Sequence, residues 1–220
     1  MKLAIIQPSI FPVVSQLVLT DKSDAVIFYL GDTFSRKGTV HRGKIRNPNG
    51  HQWITIPIEK EEKTTPLNST ALSIDDNLIQ SIWKPIELNY KNSVYFDFYR
   101  EDIMHDLTEA LKLPKLADAA LYMNWAFIRY FEIKKEIEVC LDFNSLLTKL
   151  KTIEYYKSWK EQGSENYRKP IPNEQKIKVD YLPYRQHFAG FEFECCALDL
   201  LFEYGPEAFK VFEAAQVIQE

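Results

Sequence analysis

Five cationic side chains and one histidine fall within eleven consecutive residues that read RKGTVHRGKIR. The cations are Arg36, Lys37, Arg42, Lys44 and Arg46, and the histidine is His41. No Asp or Glu occurs between Thr33 and Ile58, so this segment carries a charge of +5 while the rest of the chain carries −9. Arginine binds phosphate bidentately, and Gly38 and Gly43 allow backbone N–H groups to approach an anion. The segment therefore predicts a site for a phosphate-bearing or carboxylate substrate. A solvated hairpin whose cations pair with the acidic remainder is the alternative.

Two residues are candidates for catalysis at such a site. His41 is the candidate general base, because its cationic neighbours lower its pKa. Gln7 lies at the end of the first predicted strand, where open α/β sheets bind ligands, and it could hydrogen-bond a substrate there. The alternative for this stretch is that Pro8 and Pro12 simply shape a turn between a strand and a helix.

The side chains of Arg42, Lys44 and Arg46 share one face of a strand, with neighbours roughly 7 Å apart. Three cations in such a row repel one another, so we expect acids or a ligand opposite them. If Gln7 ends the neighbouring sheet, the row is expected to face the Gln7–Pro8 turn. Arg36 adds a fourth candidate ligand for the substrate.

Other reactive residue types give weaker signals. No His or Cys pair has metal-ligand spacing, so we expect neither a metal nor a cofactor. Cys196 falls near the predicted start of a helix, where a thiolate is stabilised, although a buried and inert cysteine is the commoner outcome. Asp199 interrupts an apolar run and calls for a partner such as an arginine.

The elements that must position these residues follow from apolar periodicity. Lys2–Gln7 and Asp24–Leu30 are non-alternating apolar runs, typical of strands covered on both faces, and a helix from Pro12 joins them. We expect these two strands to be adjacent and parallel. A hairpin follows, in which Arg42–Arg46 pairs with Trp53–Ile58 around a turn at residues 47–50.

The rest of the chain is predicted to be mainly helical. Asp75, Asp76 and Asn77 cap a helix that Pro85 kinks or ends. Three further helices, a surface loop at Lys160–Gln175 and a strand at Lys176–Leu182 come next. Two helices, Cys195–Tyr204 and Pro206–Gln216, close the chain. The fold class is α/β: an N-terminal strand–helix–strand (Rossmann-like) core with a β-hairpin, followed by a largely helical C-terminal half.

Composition limits the cellular setting and the partners. Apolar residues make up 45% of the 220, and the three cysteines show no disulfide framework, which favours a reducing compartment. The longest apolar run, Ala25–Leu30, is far shorter than the roughly 20 residues of a membrane helix, and no signal peptide is evident. We therefore expect a cytoplasmic protein. The net charge of −4 argues against a nucleic-acid partner.

Three segments together resemble the WbqC-like protein family of bacteria. The first is the opening strand that ends in Gln-Pro and continues to an aromatic residue and Pro. The second joins an acidic strand end to a basic segment, and the third is an LDLLF…GPE ending. The matching residues are Gln7, Pro8, Phe11, Pro12, Asp32, Phe34, Arg42, Lys44, Ile45, Pro48, Gly50, Trp53, Thr55, Pro57, the run 198–202 and the run 205–207.

The resemblance implies one WbqC-like domain over residues 1–220, with an α/β core (1–75), a helical insertion (76–160) and a closing strand and helices (176–220). Family members occur among genes for O-antigen and other surface polysaccharides. The resemblance thus implies a transferase, of acyl, aminoacyl or glycosyl type, that acts on an anionic sugar intermediate.

The chain departs from the family pattern at Ile6 and around Cys196. A non-catalytic binding or scaffold protein of the same pathway is therefore the alternative. In either case the expected partner is a phosphorylated or nucleotide sugar.

Overall fold

The computed structural model describes residues 2–59, 65–152, 157–161 and 174–219. The strands are β1 (Lys2–Ile6), β2 (Ala25–Tyr29), β3 (Arg42–Asn47), β4 (Gly50–Thr55), β5 (Ile137–Cys140), β6 (Lys157–Glu161), β7 (Glu174–Asp180) and β8 (Gln216–Gln219). The helices are α1 (Val14–Lys22), α2 (Leu78–Tyr90), α3 (Phe96–Leu111), α4 (Leu116–Tyr130), α5 (Phe143–Thr152), α6 (Leu198–Tyr204) and α7 (Phe209–Ala214). Among the described residues, no helix is long and apolar enough to cross a membrane.

Six strands form one sheet in the order β5-β2-β1-β6-β7-β8, parallel except for β8. β1 and β2 are adjacent and parallel, with α1 between them in the chain, which confirms the predicted strand–helix–strand unit. The strand order reverses at β1, because β2 and β5 lie on one side of it and β6 and β7 on the other. In doubly wound sheets, ligands bind outside the carboxyl ends of the strands at this reversal.

Apart from the exposed Lys2, the residues of the first two strands are apolar because both faces of the sheet are covered. Ala4 and Ile6 of β1 belong to the main core, whereas Leu3 and Ile5 belong to a second cluster on the other face. Leu146 of α5 is part of that second cluster. Two buried faces leave no place for the polar alternation of a half-exposed strand.

The four helices predicted for this part of the chain are present as α2 to α5, and Asn77 is the N-cap of α2 without a side-chain cap hydrogen bond. Of the two outcomes predicted for Pro85, a kink or an end, the end is wrong, because α2 continues to Tyr90. Proline removes one backbone hydrogen bond, yet Ile86 and Tyr90 are fully buried beyond it. Their packing, which places the Tyr90 ring 5.3 Å from that of Phe202, offsets the loss.

Strands β3 and β4 form the predicted antiparallel hairpin around the turn at residues 47–50, with Lys44 opposite Trp53. The second strand is Gly50–Thr55 rather than the predicted Trp53–Ile58, because pairing starts directly at the turn with Asn47 opposite Gly50. Its inner face packs closely on the turn that follows β1. A Cβ atom added to Gly43 would lie 2.5 Å from Cβ of Phe11, so only glycine allows this approach.

Three predictions about the later part of the chain need correction. The predicted helix Pro206–Gln216 is a 3-10 turn (Gly205–Ala208), α7 and the strand β8. The helix predicted to start at Cys195 starts at Leu198. The ends of the predicted surface loop Lys160–Gln175 belong to β6 and β7, and residues 162–173 lie outside the described residues. The strand β5 was not predicted.

Candidate functional site

The turn after β1 ends in a polar pair at the carboxyl edge of the sheet. Gln7 Nε2 donates a hydrogen bond to Asp32 Oδ2 over 3.1 Å, and Asp32, which follows β2, is only 1% exposed. Gln7 thus lies where the sequence predicted it, but its amide is oriented by a buried carboxylate.

Behind this pair lies a buried amide network that the sequence did not reveal. Gln16 Nε2 donates to Asn124 Oδ1 over 2.8 Å, and Asn124 Nδ2 donates to the Ser9 carbonyl over 2.6 Å. Ser9 Oγ donates in turn to Gln16 Oε1 over 3.4 Å. The network ties the turn after β1 to α1 and α4. In the sequence, the only sign of this network is the amide residue Asn124 within the apolar face of α4.

Arg42, Lys44 and Trp53 form one partly exposed face of the hairpin, hereafter the cationic face. The Arg42 guanidinium lies 4.3 Å from the centroid of the Trp53 ring, and Lys44 Nζ lies 5.7 Å from it. Arg42 is also oriented by bonds from Nε and Nη2 to the carbonyls of Gly38 and Lys37. The Trp53 side chain remains 41% exposed.

The cations of the basic segment have no acidic partner in the described part of the chain. No Asp or Glu there forms an ion pair with Arg36, Lys37, Arg42, Lys44 or Arg46. Glu194 and Asp199 nevertheless lie close enough to Lys44 and Arg46 for the cationic charges to offset part of the rise in their pKa values. A hairpin whose cations are neutralised by the acidic remainder therefore stays the alternative prediction. Arg36 is exposed on the turn before β3.

Arg46 differs from the other cations because it is buried, with 2% of its surface exposed. Its guanidinium donates to the carbonyl of Gly50, to that of Phe188 over 3.3 Å and to that of Ala189 over 2.9 Å. These carbonyls cover the end of the predicted row of cations at which Arg46 lies. The structure thus does not bring Arg46 to the cationic face.

His41 is also buried, with 5% of its surface exposed and its ring centroid 5.1 Å from that of Phe34. Burial, and secondly the charge of Arg42, lowers the pKa of His41 to about 4. Nδ1 has no hydrogen-bond partner among the described residues. The ring is therefore neutral at pH 7, as the sequence indicated, but it packs in the core.

Arg42 and Lys44 lie on the side of β3 opposite to its contact with Phe11. Gly43, whose position alternates with those of Arg42 and Lys44, is the residue that touches Phe11. The expectation that the row faces the Gln7–Pro8 turn stays a prediction.

Glu194 joins this region from the C-terminal part of the chain. Its carboxylate accepts hydrogen bonds from Ser15 Oγ over 2.8 Å and from the Tyr181 hydroxyl over 3.4 Å. Burial raises the pKa of Glu194, whereas the charge of nearby Lys44 lowers it. The sequence marked Glu194 only as one of the residues around Cys196 that depart from the family pattern. It gave no sign that Glu194 lies near Lys44, because 150 residues separate the two.

Two other candidates from the sequence are interior groups. Burial raises the pKa of the Cys196 thiol well above its usual range, so it is protonated and not a ready nucleophile. Burial also raises the pKa of Asp199 to about 7, and the charge of Arg46 offsets part of that rise. Neither carboxylate oxygen of Asp199 has a hydrogen-bond partner among the described residues, so the arginine expected to pair with it is near but not bonded to it.

A cavity of about 320 Å³ lies elsewhere, toward the amino ends of β2 and β5. Asp21, Phe131, Glu132 and Phe212 are among the residues that line it. Across the described ranges, no three His, Cys, Asp or Glu side chains converge to hold a metal ion.

The fold defines a doubly wound α/β protein, the class whose ligands bind outside the carboxyl ends of the strands. The chain belongs to the WbqC-like protein family, whose model matches residues 7–211. It is 23% identical over 227 residues to an uncharacterised protein of Mycobacterium tuberculosis, Rv1507c, with 94% of this chain and 95% of that protein covered. No solved structure matches the chain.

Proposed function

We propose that this protein is a transferase that binds a phosphorylated or nucleotide sugar on the cationic face and acts in the synthesis of a bacterial surface polysaccharide. The observation that carries the proposal is the pairing of two cations with an exposed indole ring and with no acidic partner among the described residues. Membership of the family supports the pathway.

The side chains of the cationic face suit a sugar phosphate. A guanidinium has five N–H donors, and Arg42 uses one from Nε and one from Nη2 for backbone carbonyls. The three remaining N–H donors can bind phosphate oxygens. Lys44 adds a second charge with freely rotating donors. The Trp53 ring offers a flat apolar surface for a sugar ring or a nucleobase.

The proposal changes the roles that the sequence predicted. Arg42 and Lys44 bind the phosphate, and Arg36 can extend the site from the adjoining turn. Arg46 and His41 hold the hairpin in place. Gln7, oriented by Asp32, remains a candidate for positioning the acceptor at the carboxyl edge.

Ligand-induced stabilisation tests the binding step. At a ligand concentration of 100 times Kd, binding stabilises the folded state by about 2.7 kcal/mol, which raises the Tm of a chain of this length by about 5–10 °C. A nucleotide sugar such as UDP-glucose should produce such a rise, and Arg42→Ala should abolish it. Arg100→Ala, which removes an exposed arginine on α3, is the matched control and should leave the rise unchanged. An equal rise in the Arg42→Ala protein would refute the site.

A non-catalytic binding protein is the second candidate. The observation that favours it is the state of the reactive groups: His41 is neutral in the core, and the pKa of both Cys195 and Cys196 is raised by burial. Mass spectrometry of a nucleotide sugar incubated with the protein and an acyl thioester distinguishes the two. Saturable binding without any acylated sugar would favour the binding protein.

A further inference from the structure

The backbone of Glu194 has a conformation that residues other than glycine rarely adopt. Its φ angle is +59°. Such strain persists only where the surrounding structure imposes it, and it is concentrated at functional sites. The strained backbone therefore suggests a functional reason for the position of the Glu194 carboxylate.

Two segments fix Glu194 between the hairpin and α1. The Cys196 N–H donates to the Lys44 carbonyl over 2.8 Å, and the Ala197 N–H donates to the Pro12 carbonyl over 2.8 Å. Ser15 lies in the first turn of α1, at the carboxyl edge of the sheet. The carboxylate is thereby placed between the edge of the sheet and the cationic face.

The carboxylate has room for another donor. An ionised carboxylate accepts about four hydrogen bonds, and Glu194 accepts one from Ser15 and one from Tyr181. Lys44 is close enough for its charge to lower the pKa of Glu194, but the two side chains form no ion pair within the described residues. The carboxylate therefore has acceptor positions left for a hydroxyl group of a ligand.

We infer that Glu194 is the specificity-determining residue of the proposed site, and that it accepts a hydrogen bond from a hydroxyl group of the sugar whose phosphate binds to Arg42 and Lys44. The inference rests on the proposed function and names the ligand class more closely. The ligand is a sugar phosphate with a free hydroxyl near its phosphate.

Glu194 thus acts differently on the two parts of such a ligand. Its negative charge repels a bare inorganic anion, because like charges at close range disfavour each other. Its oxygens bind a sugar hydroxyl through a charge-assisted hydrogen bond, which is roughly twice as strong as a neutral one. The site should therefore prefer a sugar phosphate to an inorganic anion.

Calorimetric titration with glucose 1-phosphate and with inorganic sulfate tests this preference, because sulfate keeps its charge across the usable pH range. The wild-type protein should bind the sugar phosphate more tightly than sulfate. In Glu194→Gln, sulfate should bind more tightly than before, and the preference should fall by about tenfold. Glu192→Gln, two residues away and paired with His51 instead, is the matched control and should keep the preference.

The outcomes separate the inference from the proposed function. Binding of both ligands with an unchanged preference in Glu194→Gln would overturn the inference and leave the anion site standing. Binding of neither ligand to the wild-type protein would overturn both. If Glu194→Gln does not fold, Glu194→Gly serves instead, because glycine accepts the positive φ angle and removes the carboxylate.

Discussion

At the scale of single residues, the basic segment divides into two kinds of cation. Arg42 and Arg46 are on the same strand, but Arg42 lies over an exposed indole while Arg46 is enclosed by backbone carbonyls. A period-2 pattern gives both the same face. It does not reveal that residues 188–189 return to cover one end of that face.

We predict that Arg46 contributes to stability through its fork of donors. Arg46→Lys keeps the charge but not the geometry that serves carbonyls on two segments. The variant should lower the free energy of unfolding by about 2–3 kcal/mol, because buried acceptors lose their donors. Urea denaturation measures the change. Lys37→Ala, at an exposed position, should stay within about 0.5 kcal/mol, and an equal effect of both variants would disprove the role.

His41 should remain neutral in the folded protein down to pH 5, since its pKa is about 4. An unfolded chain protonates this histidine near pH 6.5, so between pH 6.5 and 4 the unfolded state binds more protons. The contribution of His41 to stability is therefore complete above pH 6.5 and decreases as the pH falls, by at most about 1.4 kcal/mol per pH unit.

NMR titration of the imidazole signals and denaturation of a His41→Phe variant across this pH range check that prediction. The variant's stability should depend less on pH than the wild type's. A His41 signal that titrates near pH 6.5 would contradict the burial described above.

At the scale of elements, the hairpin depends on its close approach to the turn after β1. In Gly43→Ala, the new Cβ would lie 2.5 Å from Cβ of Phe11. We expect the free energy of unfolding to fall by about 1–3 kcal/mol, as for other overpacked sites. Thermal denaturation compares it with Thr55→Ala on the exposed side of the same hairpin. Equal stability of the two variants would show that the turn moves freely to accept the methyl group.

The elements that the sequence predicted are those whose signal is local. The first two strands are apolar runs bounded by turn residues, and the hairpin has an Asn-Pro-Asn-Gly turn. β5 and β8 are four residues each and owe their structure to neighbouring strands, β2 and β7. Short edge strands of this kind leave little periodicity to detect.

At the scale of the whole molecule, the candidate site is assembled from parts distant in sequence. The hairpin supplies Arg42, Lys44 and Trp53, the first turn of α1 supplies Ser15, and the C-terminal part supplies Glu194. The cations could be predicted because their density is a local property of composition. The carboxylate could not, because its proximity arises from tertiary contacts such as the bond between Cys196 and Lys44.

NMR of the indole N–H groups tests ligand binding to the cationic face most directly. The chain has four tryptophans, and a Trp53→Phe variant identifies the Trp53 signal by its loss. On titration with a sugar phosphate, the Trp53 signal should shift and saturate, while the signals of Trp83 in α2 and Trp125 in α4 stay fixed. A Trp53 signal that does not move at millimolar ligand, or a shift at Trp83 or Trp125 in its place, would contradict a ligand site on this face.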